Sequence, residues 1–201
     1  MTTLYHAPMS RSSSVLALID ELGADIEVRT VSIRRADGTG APDAANPHPE
    51  GRVPYLVDGD EHLRERGAII LYLTDKFPEA KLAPKVGEPG RGAYLTWLSY
   101  YQGIMEPVFI MTMLDQVTPE STKAYGSFDD MIAALDAALQ KGPYLLGEQF
   151  SAADLLCSSP FHWMSHMIPD NPRIQDWVKR CGERPSVAKV AAAEMAGMAE
   201  A

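Results

Sequence analysis

No stretch of this sequence is apolar over the roughly 20 residues that a membrane-crossing helix needs. The opening Met1-Thr2-Thr3-Leu4-Tyr5-His6-Ala7-Pro8 has no basic segment leading into a long apolar one, so no secretory signal is expected and no membrane partner. Cysteine is scarce: only Cys157 and Cys181 occur, far apart and outside any C-x-x-C or zinc spacing. That argues against a disulfide framework and a metal site, and the expectation is two buried or partly buried thiols in a reducing cytoplasm. Positive charge is short as well. Eighteen Lys and Arg face 27 Asp and Glu, for a net charge of −9, whereas a nucleic-acid footprint needs a clustered basic face. What is present is ordinary for a soluble globular chain, 46% hydrophobic and 22% charged residues, and 201 residues allow one large domain or two modest ones.

The chain changes character near its middle. Leu4-Tyr5-His6 reads as a short strand, and Val15, Leu16, Leu18, Ile19 and Leu22 fit one helical face, with Gly23 as its stop. Residues 26–31 alternate as a half-buried strand does. A Pro- and Gly-containing loop runs over 34–50, then Tyr55-Leu56-Val57 and His62-Leu63 flank Asp58-Gly59-Asp60 as a hairpin. A helix follows over 66–77, and Pro78 closes it. This β-α-β, loop, β-β-α order is that of a thioredoxin-like sheet. From 91 onward the patterns are helical, over 91–117, 128–140, 152–167, 174–181 and 186–199, with a kink expected at Pro107. The fold class is therefore α/β followed by all-α, with residues 1–79 as the first domain, 80–90 as a linker and 91–201 as a helical domain. Ser151-Ala152-Ala153-Asp154 carries the S-x-x-D capping pattern before an apolar run, a folding element that contributes about 0.5–2 kcal/mol.

Within the first domain, Gly51-Arg52-Val53-Pro54-Tyr55-Leu56 puts a proline at a strand start, where it costs no ladder bond. With a cis Val53–Pro54 bond, Val53 turns its N–H and C=O outward to pair with an extended peptide. Glu65-Arg66-Gly67 then opens a helix whose first N–H groups are available to a carboxylate. A peptide clamp beside an anion site points to a peptide with a free carboxylate, and so to glutathione.

Leu4-Tyr5…Pro8…Ser10, Val53-Pro54, Glu65-x-x-Ala68-Ile69 and Gly147…Ser151-Ala152-Ala153-Asp154, in this order and at these spacings, resemble the cytosolic glutathione transferase family over nearly the whole chain. The serine-rich first loop is similar to the bacterial, serine-type, theta/beta/nu-like members rather than to the tyrosine-dependent classes. The resemblance implies glutathione as co-substrate in the first domain and a small electrophile held by a wall in the helical one. It also implies a cytoplasmic homodimer. Family members add the thiol to electrophiles; others isomerise, dehalogenate, cleave ethers or reduce peroxides.

A thiol near pKa 8.5 is only a few per cent thiolate at neutral pH, and lowering that pKa by about two units takes roughly 2.7 kcal/mol of preferential stabilisation. A hydroxyl at the start of the first helix supplies part of it. Ser10 matches the activating position, Ser12 is the alternative, and the remaining reading is that all four serines of 10–14 cap the helix. His6 and Arg11 flank this loop, and Tyr5 reads as sheet packing. Val53 and Pro54 are expected to bind the cysteinyl unit by strand addition. Glu65 is expected to hold the γ-glutamyl ammonium. Arg66 stands where the family usually has a serine or threonine, and either binds the γ-glutamyl carboxylate through its fork or points to solvent. His48 and Arg52 are candidates for the glycyl carboxylate. For the second substrate the candidates are Met9 in the first loop and Tyr101, Met105 and Phe109 at helical spacing, the other reading of that stripe being helix core. Two alternatives accompany a transferase: a non-catalytic binding or regulatory protein of the same fold, and a glutathione-dependent peroxidase or isomerase.

Overall fold

Four short strands make one sheet in the order β2-β1-β3-β4. The computed structural model of the chain describes residues 1–199. β1 (Thr2–His6) runs parallel to β2 (Glu27–Thr30) and antiparallel to β3 (Tyr55–Asp58), and β3 pairs antiparallel with β4 (Glu61–Arg64). A parallel pair needs a crossover, supplied by α1 (Ser13–Leu22), which Gly23 ends at φ 59°. α2 (Arg66–Lys76) follows β4. Leu4 pairs with Val28 on one side and Leu56 on the other. Leu4, Leu56, Val15, Leu18, Ile69, Ile70 and Leu73 are fully buried, forming the core between sheet and helices. A polar knot pins α2 to the sheet: Asp58 on β3 accepts from the Thr2 hydroxyl (2.7 Å), the Tyr72 hydroxyl (2.6 Å) and the Lys76 ammonium. Lys76 is the largest cause of the lowered pKa of Asp58, with Tyr72 and Thr2 behind it.

The chain divides into two compact units, and α9 (Pro185–Ala199) belongs to the first, residues 1–80, rather than to the helical half where the sequence reading put it. The reason is specific. α9 runs along α1 in the opposite direction. Lys189 pairs with Asp20, the Ser186 hydroxyl donates to Glu21 at 2.6 Å, and the Ser13 hydroxyl donates to Glu194 at 2.5 Å. Periodicity alone reports an apolar face without saying what covers it.

The second unit, residues 81–184, holds α3 (Arg91–Tyr100), a π-helical turn (Tyr101–Met105), α4 (Glu106–Met113), α5 (Pro119–Tyr125), α6 (Phe128–Leu139), α7 (Ala152–Trp163) and α8 (Pro172–Gly182). The expected linker is part of this unit: Leu82 is buried and its carbonyl accepts the Ala152 N–H at 2.8 Å, while Arg91 donates to the Pro84 carbonyl at 2.9 Å. Pro107 interrupts the long helix as expected, and the irregularity sits in the turn before it, because a proline ring clashes with the carbonyl four residues back. Sequence periodicity gives no sign of α5. None of its residues is buried, and a Thr118/Ser121 capping box marks it instead.

Asp154 organises this unit. Its carboxylate accepts the Ser151 N–H (2.9 Å) and hydroxyl (2.8 Å), the Leu145 N–H (2.8 Å) and the Trp177 indole N–H (3.0 Å). The expected reach of Asp154 back to the Ser151 N–H is there. The Ser151 hydroxyl donates to the same carboxylate, and further donors come from the 145 loop and α8. Among the described residues no helix is long and apolar enough to cross a membrane, and no group of three or more His, Cys, Asp or Glu could hold a metal ion. Cys157 and Cys181 are both buried thiols, and burial pushes that of Cys181 up to about 12.

Candidate functional site

Strand register gathers three of the expected segments at one end of the sheet. Tyr5 lies opposite Tyr55, and Tyr55 opposite Arg64. The residues that follow β1, precede β3 and follow β4 therefore emerge side by side: Ala7, then Val53-Pro54, then Glu65. The Val53–Pro54 peptide is cis. Val53 and Ala7 share a small buried cluster with Val31, and Tyr5 and Ile33 pack against it. That cluster ties Val53 to the loop carrying the serines.

The four serines are not equivalent. Ser12 has no exposed surface. Although it stands at the N-cap of α1, its side chain makes no cap bond; its Oγ lies 2.8 Å from His6 Nδ1 and accepts the Ala7 N–H at 3.2 Å. Ser13 and Ser14 face inward, the first donating to Glu194 at 2.5 Å and the second to the Arg11 carbonyl at 3.1 Å. Ser10 is half-buried, donates to the Ala7 carbonyl at 2.7 Å, and sits just ahead of a helix with no acidic residue in its first turn. The carboxylate at that helix start comes from outside its own first turn: it is Glu194 of α9, held by Ser13. Tyr5 lies in the strand, its ring stacked under the Arg29 guanidinium at 6.0 Å, in keeping with the packing role read for it.

Two residues that the sequence reading passed over hold this region. Arg35 donates to the carbonyls of Pro8 (2.7 Å) and Met9 (3.0 Å), fixing the first loop, where Met9 adopts a left-handed φ of 53°. Asn46, nearly buried, donates to the Arg52 carbonyl at 3.1 Å, just before Val53. Both act on backbone carbonyls, which leave no pattern in a sequence.

Glu65, the N-cap of α2, is exposed and has φ 70°. A non-glycine residue in that region costs on the order of 1–3 kcal/mol and tends to be kept at ligand clamps. Glu65→Gly should relieve this strain, less the entropy a glycine adds to the unfolded chain, and so raise stability by about 1 kcal/mol while weakening glutathione binding. Thermal unfolding and a glutathione titration check both arms; a lowered midpoint would show that the side chain, not the strain, dominates at this position.

The cationic candidates separate. Arg66 is buried, with 5% of its surface exposed, so of its two expected placements the solvent-facing one is not adopted. His48 is buried too, and desolvation lowers its pKa. Its Nδ1 accepts the Glu50 N–H at 3.0 Å and its ring lies 5.2 Å from that of Tyr55. A neutral, loop-turning imidazole thus stands where a partner for the glycyl carboxylate was expected. Arg52 is exposed and pairs with Glu50 at 3.3 Å.

Tyr101, Met105 and Phe109 are 2%, 0% and 1% exposed. Phe109 packs edge-on to Phe128 (5.7 Å) and Phe161 (5.0 Å), and Phe161 edge-on to Trp177 (6.3 Å). The stripe expected to face a substrate is the core of the helical unit, because the spacing that makes a wall is the spacing that makes a helix interior. Met9, half-buried beside Ser10, is the substrate candidate in the first unit.

Residues 4–81 match the model of the glutathione S-transferase N-terminal domain, and residues 115–180 that of the C-terminal domain. The chain is similar to glutathione S-transferase 1 of Zea mays, 29% identical with 94% of this chain and 95% of that one covered. It is also similar to the disulfide-bond oxidoreductase YfcG of Escherichia coli, 26% identical with 92% of each covered. A sphingomonad glutathione S-transferase solved in complex with glutathione superposes with a TM-score of 0.76 at 28% identity, over 96% of this chain and 98% of that one. With both domain models matched in order and a strand register that assembles the expected segments, the chain belongs to the glutathione S-transferase family.

Proposed function

We propose that this protein is a serine-type glutathione transferase: it binds glutathione at the sheet end formed by residues 7–10, 53–54 and 65, and uses Ser10 to hold the bound thiol as thiolate for attack on a small apolar electrophile. The observation that carries this reading is the contrast between two hydroxyls. Ser10 is half-buried at the mouth of α1, whereas Ser12 has no exposed surface and lies against His6. A ligand sulfur can approach the first and not the second.

In this arrangement Val53 pairs through its main chain with the cysteinyl unit, so that main-chain bonds provide the affinity. Glu65 receives the γ-glutamyl ammonium, and the first N–H groups of α2 receive the γ-glutamyl carboxylate. Arg52, on the exposed side of the clamp, is the cation for the glycyl carboxylate. Ser10 donates a hydrogen bond to the sulfur, whose own proton is released to water as the thiolate forms. The thiolate then forms a bond to the electrophilic carbon or sulfur as the leaving group departs with its electron pair. The assembly proposed is the cytoplasmic homodimer usual for the family, and the buried Cys157 and Cys181 leave the chemistry to glutathione's own sulfur.

Ser10→Ala is expected to cut glutathione-dependent turnover at least about tenfold, roughly 1.4 kcal/mol, and to raise the pKa of the bound thiol, followed by thiolate absorbance across pH. Wild-type turnover in Ser10→Ala, with collapse in Ser12→Ala, would move the role to Ser12. An absence of glutathione binding at millimolar concentration would favour a non-catalytic protein of this fold.

A further inference from the structure

Behind Ser10 the polar contacts run on into the protein. Ser10 Oγ lies 2.7 Å from Ser12 Oγ, Ser12 Oγ lies 2.8 Å from His6 Nδ1, and His6 Nε2 lies 3.6 Å from Oε1 of Glu194 on α9. Ser12, His6 and Glu194 are 0%, 4% and 6% exposed, so water does not set the direction of these bonds. Each hydroxyl has one proton to give, and the direction of the chain decides which serine can give its proton to a ligand.

We propose that Glu194 and His6 are positioning residues that fix the direction of this chain, committing the Ser12 proton to His6 and leaving Ser10 as the hydroxyl able to donate to a bound ligand. That the ligand is the glutathione thiol rests on the function proposed above; the direction of the chain does not.

The argument starts at the buried end. The Ser13 hydroxyl donates to Glu194 Oε1 at 2.5 Å and holds that oxygen toward the imidazole. A ring nitrogen lone pair facing a carboxylate oxygen in a buried setting repels it; an N–H there is attracted. Burial lowers the His6 pKa to about 4, so the ring is neutral and carries one proton. With that proton on Nε2, Nδ1 is an acceptor. Ser12 then donates to Nδ1 at 2.8 Å in preference to the Ala7 carbonyl at 3.3 Å. The Ser12 oxygen is left to accept, from the Ala7 N–H at 3.2 Å and from Ser10. Ser10 itself accepts the Ser12 N–H at 3.1 Å. Its own proton is therefore the mobile one, shared between the Ala7 carbonyl and Ser12 until a better acceptor arrives. A thiolate is such an acceptor. Reversing the tautomer reverses the chain: Nδ1–H would donate to Ser12 and Ser12 to Ser10.

The test begins with the free protein. Nitrogen-15 spectra of the histidine rings report which nitrogen carries the proton, the His6 signals being assigned by their loss in His6→Asn. The expected result is a neutral ring with the proton on Nε2; a proton on Nδ1 overturns the inference whether or not glutathione binds. In Glu194→Gln the amide can offer an N–H to Nε2, so the Nδ1–H form should gain population and the bound thiol pKa should rise by about one unit, while Glu194→Asp returns both toward wild type. An unchanged tautomer in Glu194→Gln would remove Glu194 from the device. A Glu194→Gln chain that fails to fold does not block the test, because the wild-type spectrum alone decides the direction. The expected tautomer without any glutathione binding would leave the inference standing and overturn the ligand assignment.

Discussion

Asp154→Ala is expected to lower the stability of the helical unit by about 4 kcal/mol. The cost is not the loss of a charge. Burial raises the Asp154 pKa, while hydrogen bonds from Leu145, Ser151 and Trp177 pull it back, so the ionised carboxylate is itself expensive to hold there. Removing it is worse, because it strands the Leu145 N–H, the Trp177 indole N–H and the Ser151 N–H in a buried setting. Each stranded donor costs about 1–3 kcal/mol, and local relaxation recovers part. Asp154→Asn keeps one acceptor oxygen but turns an NH₂ toward donors, so it should fall between wild type and alanine. Urea unfolding followed by tryptophan fluorescence measures both variants. Equal midpoints for wild type and Asp154→Ala would mean that water replaces the carboxylate, and that the capping pattern contributes little.

Phe109→Ala is expected to cost about 3–5 kcal/mol and to leave the preference among electrophiles where it was. The ring is 1% exposed and lies between Phe128 and Phe161, so truncation opens a cavity in the middle of the unit, and the edge-on contacts are lost with it. A lowered thermal midpoint with unaltered glutathione affinity and selectivity is the outcome a core residue gives. Changed selectivity at wild-type stability would return Phe109 to the substrate wall. The comparison is worth making because sequence spacing cannot separate the two roles.

Much of the first unit was legible because its signals are local. The β-α-β…β-β-α order follows from alternation, a helical stripe and turn residues, and each strand that was read is present within a residue or two. The strand-start proline marked the position of the cis Val53–Pro54 peptide, and the S-x-x-D pattern announced the start of α7. α5 escaped because it buries nothing and so has no stripe. Arg35 and Asn46 escaped because they hold carbonyls, which every residue type carries. Arg66 was visible as a departure from the family pattern, yet only its burial excluded a solvent-facing side chain.

By itself the sequence determined the kind of protein: two units of different class, a proline strand start at Val53-Pro54, a serine loop before the first helix, and membership of the glutathione S-transferase family. Apart from that membership, which the motifs carry together over nearly the whole chain, those features depend on residues within a dozen positions of one another, where periodicity, capping and proline chemistry operate. Tertiary structure decided what each candidate can do. It placed α9 along α1, turned Phe109 into a core, made His48 a neutral loop residue and set Glu194 against His6. Burial and the direction of a hydrogen bond are properties of neighbours brought from far along the chain, and the partner that separates Ser10 from Ser12 lies at the other end of it.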